Sequence, residues 1–385
     1  MYITLNSTQR KFSSPKFINN KFSKGNISVC FEIKKKLDYE NLKLRLKKIL
    51  IENPILKSKY CTNKNIFQYG AKNKTYNLSY LENIEISLFL KKIEKTAFKI
   101  DKPYHFKIFY INNVEKSESY IFICISHNIC DGLSLMYLFK SLLDDEHYTE
   151  IATKTKKIDQ LESKVIDSKY FSYDEDGVVD KYEVATKNIF HNSYVNYNIN
   201  KFLDASILAL FNASKKYLDN FVVKELFKFN DLYRINNELD FYLYSLEGEK
   251  LSENSISEKR KLAKKNHTPY WDLVQRVKPM AYNGYYGVAN IEINYRARYK
   301  GVNSFKNISY VIHFNEEALH FAEADISLII DQMSERKVYY KFLFNRKKIS
   351  QDIQALILEN FSNYINNIQT EENKFSSEVI TCCII

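Results

Sequence analysis

An α+β protein in two similar-sized lobes is what the sequence predicts, and three observations predict it. The chain has 385 residues, more than one compact core of about 150–200 residues usually needs. Strand-like alternation and helix-like apolar spacing follow one another in both halves. Between the halves, residues 147–195 are polar and carry no strong apolar period, the character of a connection rather than a core. The division expected is an N-terminal lobe over 1–160, a crossover over 161–195 and a C-terminal lobe over 196–385.

The elements follow in order. Residues 27–33 alternate, with Ile27, Val29, Phe31 and Ile33 on one face and Ser28, Cys30 and Glu32 on the other, as a half-buried strand does. Asp38 can cap a helix whose apolar stripe is Leu42, Leu46, Ile49 and Leu50. Asn53-Pro54 stops that helix, and residues 55–60 read as strand. Residues 105–112 and 119–125 are two strands joined by a polar loop. A helix over about 133–143 then carries Leu135, Leu138, Phe139 and Leu142 on one side.

The second half opens with a helix near 202–218, built on Leu203, Ile207, Leu210, Phe211 and Tyr217. A strand at 221–229 and a charged helix, "SEKRKLAKK" at 257–265, come next. Residues 289–295 alternate again, Ala289, Ile291, Ile293 and Tyr295 against Asn290, Glu292 and Asn294. Strands at 326–331 and 338–344 lead to a terminal helix capped by Ser350 and facing inward through Ile353, Ile357, Phe361 and Tyr364.

Charge and cysteine usage narrow the functional classes. The 57 basic against 46 acidic residues give a net charge of +11, which can favour nucleic acid, a membrane surface, a phosphorylated cofactor or an acidic protein. The basic residues are spread along the chain with no Arg-rich arm, so nucleic acid is not expected. No apolar run reaches the about 20 residues that span a bilayer, and the N-terminus lacks the order of a signal peptide. Cysteines 30, 61, 124, 130, 382 and 383 have no metal-ligand spacing, so no metal is expected and a reducing, cytoplasmic compartment is. Cys382-Cys383-Ile384-Ile385 fits the loose prenylation pattern, but the preceding residues are not polybasic and one lipid chain anchors weakly. The tail therefore reads as a frayed apolar end, with membrane contact only if Cys382 is prenylated. "DEDG" at 174–177 is too short for a calcium loop, and Trp271, the one tryptophan, starts an amphipathic stretch.

One stretch carries chemistry: "IFICISHNICDGLSLMYLF", residues 121–139. An apolar strand ends at His127, and Asp131-Gly132 follows before a helical run. A histidine in this position suits general-base work on a hydroxyl, amine or thiol, although a histidine beside an apolar run is also a common structural residue. Gly132 allows backbone geometry that other residues resist. Ser126 and Asn128 flank the histidine and can orient it or cap backbone. Cys130 has no second histidine at a spacing that would make it a nucleophile.

"SHNICDG" resembles the His-x-x-x-Asp-Gly signature of the chloramphenicol acetyltransferase-like superfamily, thioester-dependent acyltransferases that include alcohol acetyltransferases and the condensation domains of nonribosomal peptide synthetases. Its context is similar too, an apolar strand before and "GLSLMYLFKSLL" after. "ISVCFEIKKKLDYENLKLRLKKILIENPILKSKY", "FKIDKPYHFKIFYI" and the terminal "VYYKFLFNRKKISQDIQALILENFSNYINNI" resemble the family's flanking segments in order. The Asp-Phe-Gly-Trp-Gly signature of the plant-type branch is absent, "YNGYYGVAN" being the nearest stretch, so that branch is not expected.

The resemblance implies two mixed-sheet lobes with an active-site tunnel between them. His127 would be the base that deprotonates an alcohol or amine, which attacks the thioester without a covalent acyl-enzyme. Asp131 would brace the histidine loop by pairing with an arginine of the second lobe, and Arg234 is the candidate. Asn294 would be an oxyanion donor or a residue of a solvated strand face, and Ser126 a further substrate-side candidate. Lys259, Arg260 and Lys264 would meet the phosphates of coenzyme A, or an acidic carrier protein, unless they are a solvated helix face. The co-substrate implied is a coenzyme A thioester, with no permanently bound cofactor, and single-chain forms of this length imply a monomer. Two rivals are a standalone condensation-type domain using a carrier-bound donor, and a catalytically silent member that binds a partner.

Overall fold

In the computed structural model the residues described are 2–4, 9, 26–61, 66–69, 77–93, 98, 102–114, 118–144, 184–192, 199–218, 221–228, 239–248, 251–266, 270, 289–297, 302–314, 324–334 and 337–381. They divide into two compact units. The first comprises 1–162, 227–240 and 300–319, and the second 163–226, 241–299 and 320–385. Arg234, Trp271, residues 174–177 and Cys382 to Ile385 lie outside the described residues.

The first unit is built on a six-stranded sheet. Its strands are β2 (Asn26–Ile33), β5 (Leu78–Glu82), β6 (Phe106–Asn113), β7 (Glu118–Ser126), β12 (Val302–Phe305) and β13 (Ile308–Phe314), in the order β12-β13-β2-β7-β6-β5. A three-stranded sheet of β1 (Tyr2–Thr4), β4 (Ile66–Tyr69) and β3 (Ser58–Cys61) belongs to the same unit. Helices α1 (Tyr39–Glu52) and α3 (Gly132–Leu143) cover one face of the large sheet. Phe31 stacks on Phe139 at 3.6 Å between ring centroids, and Tyr310 meets Phe139 edge-on at 5.0 Å. The other face is buried under α2 (Ile86–Ile93), where Phe89 packs edge-on against Phe109 and Phe122. Burial on both faces is why β7 reads as an unbroken apolar run instead of alternating. It also changes the reading of β2: Cys30, placed by alternation on the outer face, is 1% exposed.

The local signals that set these elements are conventional. Asp38 caps α1 by accepting the Asn41 N–H at 3.1 Å, and Leu42, Leu46, Ile49 and Leu50 are its buried stripe. Residues 55–57, expected as strand, belong to a 3₁₀ turn over Pro54–Lys57, because proline at its start supplies the fixed φ such a turn needs.

Two assignments differ from the sequence reading by topology. Residues 302–314, expected in the C-terminal lobe, form a hairpin whose second strand pairs with β2, Tyr310 opposite Ile33 and Phe314 opposite Val29. Lys140 of α3 sits over the Phe305 ring at 5.4 Å, and Lys306 pairs with Asp144 just beyond α3. Residues 184–192, expected within the polar crossover, form β8 (Val184–Asn192), which pairs antiparallel with β15 (Lys337–Asn345). Its apolar content is weak because it is an edge strand.

The second unit carries the order β10-β9-β11-β14-β15-β8, with β9 (Val222–Lys228), β10 (Leu239–Ser245), β11 (Ile291–Ala297) and β14 (Ile326–Ser334). Strand β11 is parallel to β9 and β14, while β15 is antiparallel to β14. Helices α4 (Ile199–Ser214), α5 (Glu253–Lys265) and α6 (Gln351–Thr381) complete it. Phe361 of α6 packs edge-on against Tyr340 and Phe342, and Ser350 caps the helix by accepting the Ile353 N–H at 3.4 Å. Tyr364, expected to face inward, is 41% exposed. No described helix is long and apolar enough to cross a membrane.

The cysteines give a direct check on this packing. Cys30, Cys124 and Cys130 are buried and Cys61 is partly exposed. Burial, with the Glu32 charge adding to it, pushes the Cys30 thiol up to about 12, and reactivity belongs to the thiolate. In native protein at pH 8, iodoacetamide labelling followed by peptide mapping is expected to mark Cys61 and to spare the other three until denaturant is added. Native labelling of Cys130 would contradict the buried motif turn.

Candidate active site

The site begins where β7 ends. Ser126 is the last residue of that strand, and its N–H donates to the His105 carbonyl at 2.8 Å. The chain then turns: the Ile129 N–H donates to the Ser126 carbonyl at 3.1 Å, and the Asn128 N–H to Ser126 Oγ at 3.4 Å. Ser126 therefore caps backbone within the turn. His127 is half-buried at the turn while Asn128, Ile129 and Cys130 are buried around it. The strand's apolar side chains bury the approach, and the tight turn leaves the histidine as the one residue of Ser126–Asp131 that is not fully buried.

Asp131 anchors the far side of the turn. Its side chain accepts the Ser134 N–H at 2.7 Å and its carbonyl accepts the Leu135 N–H at 2.9 Å, so it is the N-cap of α3. Asp131 is 0% exposed. The sequence reading gave it a bracing role through an arginine, but Arg234 lies outside the described residues; the brace seen here is the helix cap. Asp131→Ala is expected to lower stability by about 1–2 kcal/mol and Asp131→Asn by clearly less, since the amide keeps an acceptor. Urea midpoints for the two variants check this, and equal losses would argue against capping.

Two residues depart from expectation. Gly132 was assigned a backbone conformation that other residues resist. It is instead the first residue of α3, outside the positive-φ set, and a Cβ added there would meet nothing within 4 Å. What glycine supplies here is open space beside the helix start, not conformational freedom. Cys130 is fully buried, and burial followed by the Asp131 charge pushes its thiol up, which keeps it protonated and unsuited to nucleophilic attack.

His105 has a part that sequence reasoning missed. It is 2% exposed, it stands at the start of β6, and its ring meets Phe67 edge-on at 6.1 Å. Its Nε2 lies 2.5 Å from the Lys102 carbonyl, so Nε2 is the protonated nitrogen that donates. The only sequence signal was an imidazole placed just ahead of an apolar strand.

The second unit holds the remaining candidates. Arg260 was grouped with Lys259 and Lys264 for phosphate binding, and the structure removes it from that group. Its Nε and Nη2 donate to Glu225 at 2.8 and 2.5 Å, and its Nη1 to Asp204 at 2.5 Å and to the Asn200 carbonyl at 3.3 Å. Burial opposes the charge, but Glu225 outweighs it and holds the guanidinium above its ordinary value. Ser252 caps α5, so the helix starts four residues earlier than expected, and Ile256 and Arg260, four apart, are its buried residues. Lys259 is partly exposed and Lys264 exposed. Asn294 lies on β11 opposite Ile329 of β14. It was weighed as a residue of a solvated face, yet its Oδ1 is buried and has no hydrogen-bond partner. Among the described residues no group of three or more His, Cys, Asp or Glu is placed to hold a metal ion.

Solved structures decide the fold. The starter condensation domain of the rhizomide synthetase RzmA superposes with a TM-score of 0.68 at 9% identity, over 96% of this chain and 97% of that one. The fold is that of the condensation domains. The first condensation domain of the calcium-dependent antibiotic synthetase, solved with a substrate analogue, shares it with a TM-score of 0.61 at 11% identity, over 94% and 95% of the two chains. A complex of the X-domain and OxyB from teicoplanin biosynthesis matches with a TM-score of 0.64 at 12% identity, over 94% and 92%. A variant of the RzmA domain has been solved with C8-CoA and Leu-SNAC, with a TM-score of 0.67 at 11% identity, over 94% and 93%. No family model and no curated protein matches the chain. The condensation-domain fold bears out the two-lobe α+β class expected from the motif.

Proposed function

We propose that the chain is a condensation-type acyltransferase that moves an acyl group from a thioester to an alcohol or amine, with His127 as general base. The observation that carries the reading is the motif turn, a half-buried histidine between a buried strand and a helix capped by the motif's own aspartate, in a chain with the condensation-domain fold. His127 takes the proton of the acceptor's hydroxyl or amine as its oxygen or nitrogen attacks the thioester carbonyl. The tetrahedral intermediate then collapses with cleavage of the carbon–sulfur bond, and the thiolate leaves with the proton returned by His127. Ser126, Asn128 and the Asp131 cap hold the imidazole in place for both transfers.

The donor proposed is an acyl-CoA, supported by the RzmA domain captured with C8-CoA. Lys259 and Lys264 remain candidates for its phosphates. The test is thiol release across an acyl-CoA series with pooled alcohols and amines, in wild type and His127→Ala. Acyl-CoA turnover that His127→Ala abolishes supports the reading. Turnover from a carrier-bound donor alone would replace coenzyme A with a carrier protein, and release that survives the substitution would overturn the mechanism.

A further inference from the structure

The turn that leads into β6 carries backbone strain. Among the described residues, those with positive φ that are not glycine are Asn83, Tyr104 and Lys306. Asn83 follows β5, and Lys306 lies in the turn between β12 and β13; asparagine and tight hairpin turns are ordinary settings for left-handed backbone. Tyr104, at φ +65°, has no such setting. A bulky aromatic residue meets the full steric penalty of that region, so something must hold it there.

Two side chains do. The buried His105 ring donates from Nε2 to the Lys102 carbonyl at 2.5 Å and so closes the turn across Tyr104. Phe67 meets that ring edge-on at 6.1 Å and fixes its plane. Asn77 Nδ2 donates to the Phe106 carbonyl at 2.8 Å and to the Tyr104 carbonyl at 3.4 Å. The penalty of one left-handed residue and the net gain from one buried hydrogen bond are of the same order. Removing the imidazole donor is therefore enough to let Tyr104 relax.

What the clamped turn delivers is the His105 carbonyl. It accepts the Ser126 N–H at 2.8 Å, one rung beyond the Phe106–Ile125 pair of β6 and β7, at the end of a ladder where fraying is ordinarily easiest. Ser126 then accepts the Asn128 N–H on its Oγ and the Ile129 N–H on its carbonyl. His127 lies between these bonds.

We propose that His105 is a positioning residue for His127: its ring clamps the strained turn, and the clamped turn keeps the last rung beneath the histidine turn closed. His105 is not a second base. It is 2% exposed with Nε2 engaged, and it acts through the Ser126 backbone. The catalytic part rests on the reading of His127 as general base; the clamp on Ser126 does not.

The test compares His105→Met, which fills the space without a donor, with His105→Gln, whose amide N–H stands near the place of Nε2. Two quantities are read on the full chain: steady-state thiol release and hydrogen exchange of the Ser126 amide. In His105→Met, kcat is expected to fall about 10- to 100-fold, the range for a displacement of about 1 Å at a reacting group, with KM for acyl-CoA within about twofold of wild type. Ser126 exchange is expected to quicken at least about tenfold. His105→Gln is expected to hold both quantities within about threefold of wild type. Adding Tyr104→Gly to His105→Met is expected to restore most of both losses, because glycine takes positive φ without strain; a role in core packing alone gives no such rescue. Unchanged kcat and exchange in His105→Met, equal losses in His105→Gln, or no rescue by glycine would each overturn the inference. Unfolding of His105→Met with and without the glycine would make His105 a plain core residue and overturn it too. His127→Ala separates the two ideas. Thiol release that survives His127→Ala, with Ser126 exchange still quickened in His105→Met, would remove the base and leave the clamp; release lost in His127→Ala but untouched in His105→Met would do the reverse.

Discussion

His127→Ala is expected to lower the rate of acyl transfer by about 10²–10⁴-fold, the usual loss when a positioned general base is removed. The loss should fall on kcat and on kcat/KM alike, because the base acts as the nucleophile's proton leaves and not while substrate binds. The loss of stability should be small beside the loss of activity. His127 is half-buried, and the substitution keeps the turn's hydrogen bonds through Ser126, Asp131 and the backbone. The measurement is steady-state thiol release with a thermal melt of both proteins. A large drop in activity accompanied by an equal collapse in melting temperature would mark His127 as structural. A drop in KM terms alone would mark it as a binding residue.

The second large effect concerns Arg260, which serves the fold. Arg260→Met is expected to destabilise the chain by about 3–5 kcal/mol, the range for removing one partner from a buried ion pair. The cost arises from what remains: Glu225 and Asp204, 5% and 2% exposed, would face each other with no cation between them. Tyr244 Oη donates to Glu225 Oε2 at 2.9 Å and cannot neutralise the pair. Combining Arg260→Met with Glu225→Gln and Asp204→Asn should recover most of the loss, since no uncompensated charge is then buried. Urea unfolding of the single and triple variants reads this out. A single variant within about 1 kcal/mol of wild type would mean the network is wetter than its geometry.

The same arginine shows where sequence reading stops. In "SEKRKLAKK" the spacing and charge of Arg260 match those of its solvated neighbours, and its carboxylate partners lie 35 and 56 residues earlier. Nothing local marks one basic residue of five as the buried one. By contrast, β7, the cap at Asp131 and helix α3 were legible, because an apolar run, an N-cap residue and helical apolar spacing all lie within 26 residues of continuous chain. Strand β11 was legible by halves. Alternation separated its two faces correctly, but whether the polar face is wet or covered depends on residues from other strands. Short or weakly apolar strands such as β1 and β8 offered too little pattern, since their pairing is decided by partners distant in sequence.

The hairpin of β12 and β13 has a consequence for how the chain comes to be folded. During synthesis, residues 1–162 emerge with β2 still lacking its outer neighbour, and about 150 further residues must follow before β13 arrives. Until then Val29, Phe31 and Ile33 lie on an open strand edge, the kind of edge that recruits other chains. The first lobe thus cannot mature before the second is largely translated, and an isolated N-terminal half should be prone to aggregate. The two lobes, alike in architecture, are not independent folding units.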